Sequence, residues 1–378
     1  MKAATRVAMV GLTLALLALP ATLQARPAPG SGQLGQILKR AQQFKDVEIS
    51  DDEEQQLGQA VSERIRKRYG VVQDPAIHKY VTLLGSVLAQ ASTRPNLAWR
   101  FIVLDTDGVN ALAAPGGYIH VTRGALSLMK SEAELAGVLG HEIIHVTEKH
   151  TIRAIQKGKL VQMGADETLS GNKALFGKLV DKATDVVMAG FGRGEELESD
   201  SKGVVLASKV GYEPHGLPAF LSTLLDRNKN STQKQGLFAS HPEMQERLDK
   251  LASIIKTQKL AGTATVVARF KQNVTYTPVP LASVATVAAG PGSAGLTSGE
   301  TKPAPPPEEP KKKKGFGLGS LTKSNAGSEK ESAEVTGSGA SRGVDTERSA
   351  KGGANPAPVA VKVTAAEITS FKKDGQLL

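Results

Sequence analysis

The sequence predicts an α+β fold, mostly helical with a small β-sheet. Three observations carry this. Apolar residues recur at helical spacing through most of residues 50–256, two short strand-like runs lie near each other at 99–104 and 117–121, and past residue 277 the chain turns to Pro, Gly, Ser and Ala. A chain of 378 residues has ample apolar surface for one or two domains.

Residues 1–25 stand apart from this core. Lys2 and Arg6 precede an apolar run at 7–19, and 20–25 turn polar up to Ala25, the pattern of a cleavable secretory signal. The run is short for a bilayer span and no later stretch reaches 18 apolar residues, so the mature chain is expected to be exported and soluble. It has no cysteine, which removes disulfides and thiolate metal ligands and fits a bacterial periplasm. The formal charge of +10 is a mild excess spread evenly over the two halves of the chain rather than gathered on one face. That excludes a nucleic-acid footprint and leaves room for weak attraction to an anionic envelope surface such as outer membrane or peptidoglycan.

A folded domain is expected over 26–277, opening with a Pro/Gly/Ser-rich lead-in at 26–36. Ser50 with Glu53 forms a capping box for a helix to about Arg68, and Asp74-Pro75 opens a second with a stripe of Ile77, Tyr80, Val81, Leu84, Val87 and Leu88. Two strands follow, at 99–104 and 117–121, joined through Asn110-Ala-Leu-Ala-Ala-Pro-Gly-Gly117. Helices are then expected from 131 to about 158, with interruptions over 159–190, at 195–209, 217–225 and 242–256, and a last strand at 263–270. Residues 278–358 are too poor in aromatic and branched side chains to fold and read as a disordered linker or tail, including the lysine run 311–314. Residues 359–378 regain apolar character and read as a docking segment.

The chemistry concentrates at residues 141–145, His-Glu-Ile-Ile-His, within a helix-forming run. Residues four apart share a helix face, so His141 and His145 can aim ring nitrogens at one cation, and imidazole suits zinc. Glu142 lies about 100° round the helix, beside the metal, where a carboxylate can take a proton from a water that the cation has polarised. A third ligand is needed. Glu196 and Asp200 lie one turn apart on a later helix, so Glu196 can ligate while Asp200 accepts a hydrogen bond from the far nitrogen of a ligand histidine.

Rival residues fit less well. Glu148 shares the face of His141 but lies roughly 10 Å along the axis. Glu195 and Glu198 point away from Glu196 round their helix and read as solvated. His150, nine residues from His141, falls near the opposite face and reads as packing or as support behind the ligands. His78, His120 and His215 read as structural; His120 is also weighed as an oxyanion donor. His241, in Ser-His-Pro just before a helix, reads by position as a surface residue that a loop could still carry to a metal cleft.

These residues resemble the M48 zinc metallopeptidases, which include membrane proteases of the Ste24 and HtpX type and soluble periplasmic members of the BepA and LoiP type. The resemblance covers about residues 49–251. It rests on Asn110-Ala-Leu-Ala-Ala-Pro-Gly-Gly-Tyr-Ile119, on His141-Glu-Ile-Ile-His145 with His150, on Glu196-x-x-x-Asp200 followed by Gly203, and on Ser240-His-Pro242 with Arg247. It implies a gluzincin, zincin-like fold in which His141, His145 and Glu196 bind one Zn2+ per chain, Glu142 activates water and Asp200 supports the site. It also implies that His241 is a fourth, regulatory ligand, and that Asn110, Ala111, Ala113, Pro115, Gly116 and Gly117 belong to a substrate-binding edge strand. Ser199 and Ser201 flank Asp200 where the family has alanine and a basic residue, and Gly194 replaces a commonly polar position.

The expected activity is zinc-dependent endopeptidase cleavage of unfolded or misassembled cell-envelope proteins in the periplasm. The alternative is a latent, chaperone-like peptide-binding protein with its zinc site closed by His241.

Overall fold

The computed structural model describes residues 49–162, 173–229, 241, 244–287 and 346–378; the expected leader at 1–25 and the lead-in at 26–36 lie outside these. The first helix starts where its capping box predicts. Ser50 Oγ accepts from the Glu53 amide at 3.3 Å and Glu53 Oε2 accepts from the Ser50 amide at 2.9 Å, opening α1 (Asp51–Tyr69). Asp74 caps α2 (Pro75–Ala91), with proline in the first turn and the apolar stripe of Ile77, Tyr80, Val81, Leu84, Val87 and Leu88 buried.

The sheet has three strands, β1 (Arg100–Leu104), β2 (Ala111–Ala114) and β3 (Tyr118–Thr122), in the order β1-β3-β2. β1 runs parallel to β3 and β2 antiparallel to it, with Phe101 opposite Ile119 and Leu112 opposite His120. Periodicity alone finds only the outer pair in sequence. Three of the four β2 residues are alanine, which carries little strand signal, so this strand is visible only through the family resemblance. β2 turns into β3 through Pro115, Gly116 and Gly117; Gly116 sits at φ 69°, and a Cβ there would meet Gln55 Cα at 2.8 Å. The turn therefore needs glycine for both its backbone and the closeness of α1.

After α3 (Arg123–Leu128) comes α4 (Glu132–Thr147), capped by Ser131 and buried along its whole length from Glu132 to Val146. The pattern predicts one helix continuing to about 158. Instead the helix stops after Thr147, Lys149 adopts φ 54°, and α5 (His150–Gln162) starts in a new direction. Lys149 is held in that break by Asp51 at 2.9 Å and Glu54 at 3.3 Å. There follow α6 (Lys173–Ala189), α7 (Arg193–Lys209), α8 (Gly216–Arg227), α9 (Met244–Thr257) and α10 (Val267–Asn273). The strand expected at 263–270 reduces to one bridge between Tyr212 and Ala264, because Val266 turns left-handed at φ 48° and α10 begins.

The tail also differs from expectation. Residues 278–287 and 346–358, expected to be unstructured, lie on the domain, held by main-chain bonds that composition does not register. The Val287 amide bonds Ser349 O at 2.9 Å, Lys351 N bonds Ala285 O at 2.6 Å, and Gly353 N reaches Asp105 O at 2.8 Å. Arg66 donates to Pro356 O at 2.6 Å, and Arg227 pairs with buried Glu347 at 3.1 Å. Residues 288–345, with the lysine run, lie outside the described residues. Within 359–378, α11 (Ala365–Asp374) packs on α2: Ile368 and Phe371 are buried, and the Arg269 guanidinium lies 3.6 Å from the Phe371 ring centroid. Among the described residues, no helix is long and apolar enough to cross a membrane.

Candidate metal centre

The two helices that carry the acid and imidazole groups, α4 and α7, pack closely along their lengths. Glycine makes the approach possible: a Cβ on Gly203 of α7 would stand 2.8 Å from the His141 amide nitrogen and 3.0 Å from Gly140 C on α4. The close crossing brings the helix carrying Glu196 and Asp200 against the one carrying His141 and His145.

His141 and His145 bring their Nε2 atoms within 2.9 Å of each other. Glu196 faces both, with Oε2 3.5 Å from His141 Nε2 and Oε1 3.5 Å from His145 Nε2. His241 enters from the segment before α9, its Nδ1 2.7 Å from Glu196 Oε2 and 3.3 Å from His141 Nε2. All four residues are buried, and each offers a ligand atom within 4.8 Å of the others. Glu142 stands beside them, its Oε1 3.9 Å from His241 Nε2 and its Oε2 buried without a hydrogen-bond partner.

This donor set fits a divalent metal. Imidazole nitrogens with one carboxylate suit zinc and its first-row neighbours, and a buried carboxylate oxygen with no donor is a group that such a cation compensates. His145 is further held in plane by Phe191, whose ring stacks on it at 4.1 Å between centroids.

Asp200 is fully buried and accepts from His141 Nδ1 at 2.8 Å. A carboxylate only accepts, so the proton of His141 sits on Nδ1 and Nε2 presents its lone pair toward Glu196 and His145. Burial pushes the Asp200 carboxyl up, but Arg247 outweighs it and holds its pKa at about 2. The guanidinium gives Nε to Oδ2 at 2.7 Å and Nη2 to Oδ1 at 2.8 Å, the paired geometry that arginine offers a carboxylate. Its Nη1 also reaches Glu196 Oε2 at 3.3 Å and the His241 carbonyl at 3.2 Å. Burial raises Glu142, the group expected to take up a proton.

The other expectations divide. His150 lies behind His145, 2.8 Å between Nδ1 atoms, and Glu198, read from helix geometry as solvated, bonds His150 Nε2 at 3.2 Å. Glu148 is turned outward to Lys202 at 2.8 Å. His120 is not placed to serve as an oxyanion donor: Ser62 Oγ engages its Nε2 at 2.9 Å, and burial lowers its pKa to about 3. His78 is tied to Val72 O at 2.8 Å, and His215 is exposed beside Glu213. His241 is buried rather than on the surface that its position suggests.

The expected peptide-binding residues lie within the fold. β2 is a terminal strand, but Asn110, Ala111, Ala113, Pro115, Gly116 and Gly117 are all buried, because α4 and α6 pack against it. Ala113 and Pro115, with Ala114 and His145, line a narrow recess at the end of the strand.

Arg247 is the functional residue whose role sequence reasoning missed. The signal was present: Met244, Arg247, Leu251 and Ile254 share one stripe of α9, and an arginine on an apolar stripe demands a buried acid.

Residues 75–255, which contain every group in this centre, match the peptidase family M48. The chain carries an M48 peptidase domain. The beta-barrel assembly-enhancing protease of Escherichia coli K12 is 28% identical over 212 residues, which cover 53% of this chain and 43% of that protein. The mitochondrial metalloendopeptidase OMA1 of Schizosaccharomyces pombe is 27% identical over 223 residues, 57% of this chain and 64% of its own. Metalloprotease YcaL of E. coli K12 is 30% identical over 159 residues, 41% of this chain and 61% of its own. The chain thus spans less than two thirds of the length of each of these relatives.

Proposed function

We propose that the chain is a zinc-dependent endopeptidase acting on unfolded or misassembled cell-envelope proteins after export to the periplasm. The observation that supports it most is the convergence of His141, His145 and Glu196 beside the unpartnered carboxylate oxygen of Glu142. A zinc ion held by those three residues would supply Lewis-acid polarisation of a peptide carbonyl and acidify a water. Glu142, raised by burial, is suited to hold the proton removed from that water and deliver it to the leaving amine. Asp200 orients His141, and Arg247 keeps both Asp200 and Glu196 in their charged forms. In this reading an extended peptide pairs with the main chain of β2, a terminal strand of the sheet, which would give recognition without a demand for particular side chains.

The test compares the full chain with Glu142→Gln on an unfolded casein-type substrate, measuring zinc in both. Cleavage by the wild type alone, at equal zinc, is expected. A Glu142→Gln protein that keeps zinc and cleaves at the wild-type rate would sink the mechanism.

A second reading is favoured by the place of His241, 2.7 Å from Glu196 and 3.9 Å from Glu142. In this reading His241 takes the place that water and substrate would need, the resting site is closed, and the protein is latent or binds peptide as a chaperone does. His241→Ala is then expected to raise cleavage with little loss of zinc; a large loss marks His241 as a structural ligand. Attachment to outer membrane or peptidoglycan is tested by envelope fractionation of a variant lacking 288–345.

A further inference from the structure

The far side of His145 carries a chain of contacts that the peptidase chemistry does not use. His145 Nδ1 lies 2.8 Å from His150 Nδ1, and His150 Nε2 lies 3.2 Å from Glu198 Oε2. His150 is 2% exposed, whereas the Glu198 side chain is one-third exposed, so the chain runs from the metal centre to the surface. At its outer end Lys202 Nζ holds Glu198 Oε1 at 2.7 Å.

The break between α4 and α5 creates this arrangement. On an unbroken helix residue 150 would point about 140° away from residue 145. The left-handed turn at Lys149 resets the direction and brings the His150 ring back behind His145. Phe191 then packs against both rings, at 4.1 Å and 5.7 Å between centroids.

The order of donors follows from the ends. Glu198, ionised beside Lys202, only accepts, so His150 Nε2 carries the hydrogen. A neutral imidazole has one N–H, so His150 Nδ1 accepts and His145 Nδ1 donates. The reverse order would put the proton of His145 on Nε2, the atom that faces His141 and Glu196.

We propose that His150, backed by Glu198, is the positioning residue for His145: it takes the Nδ1 hydrogen bond, fixes the ring plane and leaves Nε2 free for the metal. This rests on the reading of His145 as a metal ligand. The two histidines are then oriented by unlike partners, His141 by a buried carboxylate locked to arginine and His145 by a neutral imidazole whose carboxylate sits at the surface. Partners of this kind typically change metal affinity about 10- to 100-fold.

The experiment uses the full chain and three proteins: wild type, His150→Leu, which removes the acceptor, and His150→Asn, whose amide oxygen restores one near the Nδ1 position. Nitrogen NMR of the metal-free wild type reads the His145 tautomer, and chelator competition reads the zinc dissociation constant. The expected result is a His145 protonated on Nδ1, zinc binding weakened about 10- to 100-fold in His150→Leu, and recovery of most of that loss in His150→Asn. A metal-free wild type with His145 protonated on Nε2 overturns the proposal, even if His150→Leu does not fold. Equal zinc affinity in all three, or equal weakness of the two variants, overturns it as well while leaving the metal reading in place. A wild type that binds no zinc overturns both.

Discussion

Replacing Arg247 with methionine tests the electrostatic logic of the centre. The guanidinium is 2% exposed and faces two carboxylates, Asp200 and Glu196, that are 0% and 1% exposed. Methionine keeps much of the volume and leaves both acids without their cation. Two routes give the magnitude. Asp200 held at about 2 rather than 3.8 contributes about 2.5 kcal/mol at neutral pH, at ~1.4 kcal/mol per pKa unit. Its pKa is depressed by folding, so this stability is complete above 3.8 and is lost as pH falls toward about 2. Removing one partner of a buried ion pair typically costs about 3–5 kcal/mol, and the loss of charge beside Glu196 adds in the same direction. The variant is therefore expected to lose about 3–5 kcal/mol, a large part of a typical domain's stability. The assay is urea unfolding at neutral pH with zinc chelated, so that metal binding does not contribute. Asp200→Asn should lose less in the Arg247→Met background than in the wild type, because the partner is already gone. Stability within 1 kcal/mol of wild type, or strictly additive losses in the double variant, would refute the argument.

Other outcomes follow from the same geometry. Gly203→Ala places a Cβ 2.8 Å from the His141 nitrogen, so it should cost about 1–3 kcal/mol and weaken zinc binding measured by chelator competition; unchanged affinity would show that the helices part freely. Glu132, fully buried, accepts from Tyr80 at 3.0 Å, from Tyr212 at 2.7 Å and from Arg269. Glu132→Leu should destabilise by about 3 kcal/mol without changing zinc content, which separates this network from the metal centre. Adding zinc to the chelated wild type at 100 times its dissociation constant should raise stability by about 2.7 kcal/mol, read as a shift in melting temperature, and Glu196→Ala should abolish most of that gain.

What could be read from the sequence, and what could not, follows from the range of each signal. His141 and His145, and Glu196 and Asp200, are pairs one turn apart on single helices, so local periodicity identifies faces that the fold then brings together. The helix starts at Ser50 and Asp74 are equally local, written in their capping side chains. His241 is different: its distance of 2.7 Å from Glu196 depends on packing between segments 45 residues apart, and helix geometry says nothing of that. The reading of His150 as support behind the ligands agrees with its place beside His145, but its exact contact depends on the left-handed turn that two acids from α1 hold at Lys149, and the Glu198 contact with His150 depends on packing between helices. The alanine-rich β2 and the main-chain bonds of 346–358 carry almost no side-chain signature, so composition hides them.

The bonds between Val287 and Ser349 and between Ala285 and Lys351 change what a break in the chain would do. Residues 288–345 connect two points that are already fastened side by side, and the helix beyond them is seated on α2. A single protease cut in that stretch would leave a two-piece protein that migrates as fragments in denaturant yet behaves as one particle in solution. Dilution, rather than cleavage, would then decide whether the segment stays bound.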